Sequence, residues 1–417
     1  MKNRIVVLVI MAVIMGFGAK AQLTITAEFR PRAEIFSGYG RLNADSLVAS
    51  YLISQRTRLG VYYQKDWIKT GLSLQDVRIW GDDDLYTSTG MFGSEATVDL
   101  NEAWVQLSFL DHSSVKIGRQ LFNYDDYRLL STRNWNQRGI SYDALLYQFR
   151  KNKWDVDLAV SYHSEVNNIY FNYFPSGKMK TLNFLRVQRE FNPYLTGSAS
   201  VIGSGFTKNN ESETIYMKVS YGTWLQYRKE DLTTWATFYY QNGKSKDGRN
   251  ANAWNFNIKA DYTMGSFALG AGATIISGEK PDDDKDNQFD LLYGVRHAVY
   301  GYMDYFNNLP KATANGGLNN IFLTTRYALS PKATLSLDYH YFALNQQVED
   351  LDMYLGSEFD LGFAIRFSPE VNLTGGYSVM LPGSTMEIIQ GYGAGNSTFS
   401  SWTYLMLTVK PTLFKEL

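Results

Sequence analysis

The sequence predicts an all-β chain: one transmembrane antiparallel β-barrel of about 18 strands, with short turns at the periplasmic end and long loops at the extracellular end. Three observations predict it. Apolar and polar residues alternate with period two along most of the chain, as they do where the two faces of a strand meet different surroundings. The alternating segments run to about ten residues, the length a tilted strand needs to cross a bilayer. Aromatic residues, 30 Tyr, 24 Phe and 9 Trp, gather at segment ends, where an apolar slab gives way to water.

Composition narrows the function classes. The 417-residue chain carries 40 Lys and Arg against 41 Asp and Glu, a formal net charge of −1, so it offers nucleic acid no basic surface. Cysteine is absent, which removes disulfide frameworks, thiol nucleophiles and Cys-type metal sites. His112, His163, His297 and His340 are scattered. No Gly-x-Ser-x-Gly elbow and no phosphate-cradling glycine loop occurs. The expectation is a protein that is not an enzyme and holds no metal or cofactor.

The N-terminus reads as an address. Two positive charges in Met1–Arg4, an apolar run from Ile5 to Gly18 and the small residues of Ala19-Lys20-Ala21 predict a signal peptide over 1–21, cut before Gln22. Its apolar run is too short to span a bilayer as a helix. The remainder, 22–417, is expected to be the barrel, reaching the outer membrane of a Gram-negative cell by export.

Along the mature chain, Leu23, Ile25, Ala27 and Phe29 alternate with Thr24, Thr26, Glu28 and Arg30. Leu59, Val61 and Tyr63 oppose Arg56, Arg58, Gly60 and Tyr62. Further on, Ala103, Val105 and Leu107 oppose Glu102, Trp104 and Gln106, and Leu335, Leu337 and Tyr339 oppose Thr334, Ser336 and Asp338. Charge on the polar face of strand after strand fits a wet lumen inside and lipid outside. A soluble sandwich would share the alternation but would hide its apolar face and place no aromatics at two depths. Candidate strands begin near Leu23, Leu52, Ile68, Asp99, Val115, Ser141, Trp154, Thr181, Tyr194, Thr214, Leu232, Ala253, Phe267, Ile321, Thr334, Ser357, Val371 and Ser401. Asn192-Pro193, Ser330-Pro331-Lys332 and Ser368-Pro369-Glu370 read as periplasmic turns. Polar stretches such as 123–138 and 163–180 read as external loops, and 278–320 is the longest.

Arginines concentrate early, and Arg30, Arg32, Arg56 and Arg58 share the predicted lumen face of neighbouring strands. A guanidinium pairs bidentately with carboxylates, so a row of them attracts an anionic solute and hands it on. The same arginines lie within reach of Glu28, Glu34, Asp76 and Glu102 and can instead brace the wall, so both roles stay open. Arg119 is set apart: strict alternation from Val115 and Ile117 puts it on the lipid face unless a bulge or a rim position intervenes. The acidic runs Asp82–Asp84 and Asp282–Asp286 lack the spacing of a calcium loop and read as solvated tips.

The stretch from Gly118-Arg-Gln through Tyr124, Asp125, Asp126 and Arg128 to Arg133, Trp135, Arg138 and Asp143-Ala144 resembles the alginate export family of outer-membrane porins. Arg296-His297, the run Gly301-Tyr-Met-Asp304 and Gly356-Ser-Glu-Phe-Asp360 are similar to further family blocks. The resemblance implies an eighteen-stranded barrel with an electropositive, loop-gated lumen. The candidate pore-lining or substrate-binding residues are Arg30, Arg32, Arg56, Arg58 and Glu102 from the lumen pattern, with Arg119, Asp126, Arg128, Arg133 and Arg138 from the resemblance, which also implies loop roles for Arg296, His297 and Asp304. The expected function is passage of anionic solutes: acidic saccharides, an alginate-like uronate polysaccharide, or small anions. The expected partners are outer-membrane lipid and the solute. A loop-plugged structural or adhesive barrel is the second reading, and a barrel hydrolase using His163 or His340 the third.

Overall fold

The computed structural model describes residues 21–81, 98–165, 167, 170 and 174–416. The predicted signal peptide, apart from Ala21, and the acidic run Asp82–Asp84 lie outside the described residues. The chain closes into an 18-stranded antiparallel barrel. Its strands are β1 (Gln22–Ser37), β2 (Ser50–Lys65), β3 (Ile68–Ile79), β4 (Val98–Phe109), β5 (Ser113–Gln120), β6 (Tyr142–Lys151), β7 (Trp154–Val160), β8 (Thr181–Asn192) and β9 (Leu195–Thr207). There follow β10 (Ile215–Lys229), β11 (Leu232–Lys244), β12 (Asn250–Met264), β13 (Phe267–Ile276), β14 (Leu318–Ser330), β15 (Ala333–Ala343), β16 (Tyr354–Arg366) and β17 (Val371–Pro382). The last strand comes in two pieces, β18 (Ser400–Val409) and β19 (Thr412–Lys415), either side of Pro411. Proline has no N–H to give a ladder, and here its carbonyl accepts from Ala27 N–H (3.0 Å). Both pieces pair with β1, which also pairs with β2, and this seals the sheet into a cylinder.

One large apolar residue after another faces outward at mid-strand: Leu59, Leu72, Ile117, Leu145, Leu185, Phe238, Ile258, Leu269, Leu323, Leu337, Leu361 and Leu405 are all well exposed. Their neighbours in sequence point inward, and many of them are polar. Leu337 is 46% exposed while Asp338 is 4%. Exposed leucines in every quarter of a closed sheet, with charge inside it, are the arrangement lipid stabilises and water does not. The short connections, 66–67, 110–112, 152–153, 193–194, 230–231, 265–266, 331–332 and 367–370, all lie at one end. The long ones lie at the other. They include 38–49, which the sequence reading passed over, and 277–317, which holds the short helix α1 (Leu309–Ala312). The stretch 383–399 carries α2 (Ser384–Ile389). The loop between β11 and β12 is only 245–249, because cross-strand pairing runs on through Lys244↔Asn250.

Gly270 and Gly272 keep β13 flush with the wall. A Cβ on Gly272 would lie 2.4 Å from the Phe322 ring, and one on Gly270 would lie 2.2 Å from the Asp261 carboxylate.

Candidate functional site

The bore is not empty. Loops 121–141 and 277–317 fold inward and join: Leu130 bridges Tyr293 in parallel, Tyr293 N–H donates to Leu129 O (3.0 Å), and Val295 N–H donates to Tyr127 O (2.8 Å). Gly294 sits where the loops press together, and a Cβ there would lie 1.9 Å from Arg128 O. Apolar side chains weld the joint: Phe122 stacks on Tyr142 (4.7 Å between centroids) and meets Phe184 edge-on (5.1 Å), and Leu129, Leu130, Leu291 and Phe306 are buried. Apolar burial inside a wet barrel gives the plug a core of its own.

Predicted site residues fasten this plug to the wall. Arg30 and Arg56 are register partners on β1 and β2, 3% and 0% exposed. Arg30 donates to Asn134 O (2.7 Å), Asn136 O (3.1 Å) and Gln137 Oε1 (3.0 and 3.1 Å). Arg56 forks onto Glu28 and reaches the carbonyls of Asn134, Asn136 and Gln137. Arg32 pairs with Glu34 (2.8 Å), donates to Trp135 O (3.0 Å), and lies 4.4 Å from the Trp135 ring. These three inward arginines therefore spend their donors on the loop backbone and on strand carboxylates. Arg58 differs: it donates to Gln75 Oε1 (3.0 Å) and Arg138 O (3.2 Å) and borders an open cleft of about 370 Å³ with Glu28, Tyr62, Glu102 and Lys410. Glu102 accepts from the Tyr62 hydroxyl (3.1 Å), beside a one-residue bulge in β4.

Across the bore, the paired aspartates of loop 121–141 hold the other wall. Asp125 accepts from Arg186 (2.8 and 2.9 Å) and Ser198 (2.7 Å). Asp126 accepts from Thr237 (3.1 Å) and Tyr239 (3.2 Å). Burial pushes the Asp126 carboxyl above its ordinary range, against the opposing pull of Arg128 and Thr237. Arg128 is buried, 3.6 Å from Asp126 and over the Tyr300 ring at 5.3 Å. Arg133 clasps the other loop through Gly294 O (2.9 Å) and Leu292 O (3.0 Å). Burial, and then the nearby Arg296 charge, bring its pKa down to about 10. Arg138 is exposed.

Loop 277–317 brings its own predicted residues. His297 stacks flat on Trp135 (4.0 Å, 4°), and its Nδ1 meets Asp304 Oδ1 at 3.0 Å. Asp304 also takes the Tyr39 hydroxyl, and Arg296 donates to Asn307 O. Met303 N–H donates to Glu358 Oε1 (2.8 Å) on β16. Gly301 allows that approach: its φ is +84°, and a Cβ would sit 2.5 Å from Glu358 Oε1. Asp283 caps its own turn, accepting from Lys280 N–H (2.8 Å) and Asn287 (2.7 Å), while Asp286 pairs with Lys218 (3.0 Å).

Arg119 is a correction to the expected pore lining. It opposes Asp143 and forks onto it (2.9 and 2.8 Å), on the outward face shared with the exposed Ile117 and Leu145. Gly118, at φ +117°, does not turn it inward. The strict alternation thus holds, and Arg119 braces the outer rim.

Sequence reasoning missed Gln137 and Lys410, and it gave no site role to Trp135 and Glu358, although both fall in the family-like blocks. Gln137 is buried and links Arg30 to the Ser54 hydroxyl (2.9 Å). Its signal was its place between Trp135 and Arg138. Lys410 has none, because only barrel closure brings it 3.5 Å from Glu28. His163, a candidate base for a hydrolase, meets Met179 O (3.0 Å), and His340 meets Asn320 (3.0 Å).

Comparison with solved structures finds the same fold in other proteins. The chain is similar to Acinetobacter baumannii OccAB4 (TM-score 0.62, 12% identity, covering 94% of this chain and 99% of that one). It is similar also to A. baumannii OccAB2 (0.64, 11%, 94% and 98%) and to Pseudomonas aeruginosa OpdQ (0.58, 13%, 94% and 98%). No curated protein matches it. The family model described as alginate export matches residues 21–398. A lipid-faced barrel with a wet, loop-narrowed bore is a channel of the Gram-negative outer membrane and not an enzyme, and this chain belongs to the alginate export family.

Proposed function

We propose that this channel passes anionic solutes, foremost acidic saccharides of the alginate type. The observation that supports this reading is the basic side of the cleft beneath the plug, where Arg58 and Lys410 border open space. A carboxylate crossing that cleft meets a planar guanidinium and an ammonium. The buried arginines above add positive potential even while their donors are engaged.

The test is a reversal potential across a potassium chloride gradient in planar bilayers. Wild type is expected to favour chloride, and Arg58→Glu with Lys410→Glu to lower or invert that preference. An unchanged reversal potential in the double variant removes these two side chains from selectivity. The plug favours a second reading, a structural or adhesive barrel closed by its loops. Absence of conductance in the intact protein, with conductance after loop removal, would establish that reading instead.

A further inference from the structure

Beside the basic wall, on the short-turn side of the plug, the inner surface of β14–β18 holds a recess of about 210 Å³, space for about seven waters at ~30 Å³ each. It exists because two glycines face each other: Gly362 on β16 and Gly376 on β17 are register partners, and both point into the bore, in phase with the buried Asp360 and Ser378. A Cβ on Gly362 would lie 2.6 Å from Ser336 Oγ, and one on Gly376 would lie 2.7 Å from the Tyr404 ring. Side chains at these positions would fill the hollow.

The lining is specific. Asp360 is 3% exposed, and no hydrogen bond of good distance and angle reaches its carboxylate oxygens; Ser378, Glu358 and the Tyr302 backbone lie within looser reach of it, and His340 Nε2 is 3.9 Å away. A buried carboxylate with loosely placed donors is under-satisfied, and one that borders a cavity gains from donors that enter. Ser336, Thr374 and Ser378 add hydroxyls, the Thr374 hydroxyl beside that of Tyr404. Two aromatic rings complete the recess: Tyr302 from loop 277–317, and Tyr404, which is held by stacking on Trp402 (4.8 Å). Among the described residues the one cation in the lining, Arg326, is engaged by Asp338 through both of its terminal nitrogens, one at 2.9 Å.

We propose that this recess binds one uncharged sugar ring. Asp360 accepts from neighbouring hydroxyls, the serine and threonine hydroxyls take others, and the tyrosines cover the ring's C–H surface. A carboxylate-bearing sugar is disfavoured here, because its charge would face Asp360 with no free cation to offset it. The proposal is independent of the anion preference assigned to the cleft of Arg58 and Lys410.

The experiment is current block of the full-length barrel in planar bilayers, titrated separately with glucose and with glucuronate. Glucose is expected to block wild type, with an apparent dissociation constant at least tenfold higher in Asp360→Asn and in Gly376→Leu. The response to glucuronate should be the same in all three. Folding is read from heat-modifiable electrophoretic mobility; should Gly376→Leu fail it, Gly376→Ala and Asp360→Asn carry the test. Absence of glucose block in wild type, or equal glucose block in wild type and folded variants, overturns the proposal. Because glucose is uncharged, either result leaves the chloride-preference measurement untouched.

Discussion

Arg56 concentrates the chemistry of the bore in one side chain. It has no exposed surface, forks onto Glu28 and touches three loop carbonyls. Arg56→Ala strands the Glu28 carboxylate and unfastens loop 121–141, so unfolding in detergent should show a loss of about 3–5 kcal/mol, as for other broken buried pairs. The same variant should show noisier single-channel currents. Arg119 makes the contrasting case. Its pair with Asp143 is on the outer rim and partly exposed, so Arg119→Ala should change stability by less than about 1 kcal/mol and leave ion selectivity where it was. A selectivity shift in that variant would show that the rim pair acts on the bore after all. The two arginines share a residue type and were expected to share a role. Strand parity separates Arg119 from the pore lining, but nothing in the sequence says that Arg56 is consumed by a loop, because backbone carbonyls carry no residue identity.

Among the elements, the strands were legible and the inward course of the loops was not. Predicted starts at Ile68, Trp154, Thr181, Leu232, Phe267 and Val371 coincide with observed ones, since period two and lipid exposure act on each strand separately. Loop 277–317 obeys no period; its path is set by long-range contacts such as Met303 N–H to Glu358. Replacing residues 280–315 with a short glycine-serine linker should raise conductance several-fold. An unchanged conductance would mean that loop 121–141 alone narrows the bore. In the stretch 383–399, Glu387 accepts from Ser397 N–H (3.0 Å), the Ser397 hydroxyl and Gly395 N–H. Burial works against its ionisation, but those donors prevail and hold the carboxyl below its ordinary range. A lowered folded pKa gives stability above the unfolded value and loses it as pH falls through the folded one. Protease nicking of this stretch should therefore rise as pH drops below about 4, and Glu387→Gln should be nicked readily at neutral pH. Equal resistance of wild type and variant would dismiss the tether.

At the scale of the whole molecule, the barrel separates two demands in one sheet: outward leucines satisfy lipid, inward charges satisfy one another and the plug. Charge pairing in the lumen was legible as a possibility: Glu28 and Glu34 do pair with Arg56 and Arg32, while Asp76 pairs with Arg78 instead of one of the four. Which cations would remain beside open water was not, since Lys410 reaches Glu28 only across the junction of first and last strands. That junction also governs assembly in time. Residues 400–415 supply the hydrogen bonds that β1 cannot obtain from β2, so the earliest strand to be delivered waits with a bare edge for the latest. Until the C-terminal segment arrives, the nascent sheet presents two unsatisfied borders, each able to capture a neighbouring chain, and a truncation before Ser400 should yield aggregates in place of a smaller pore.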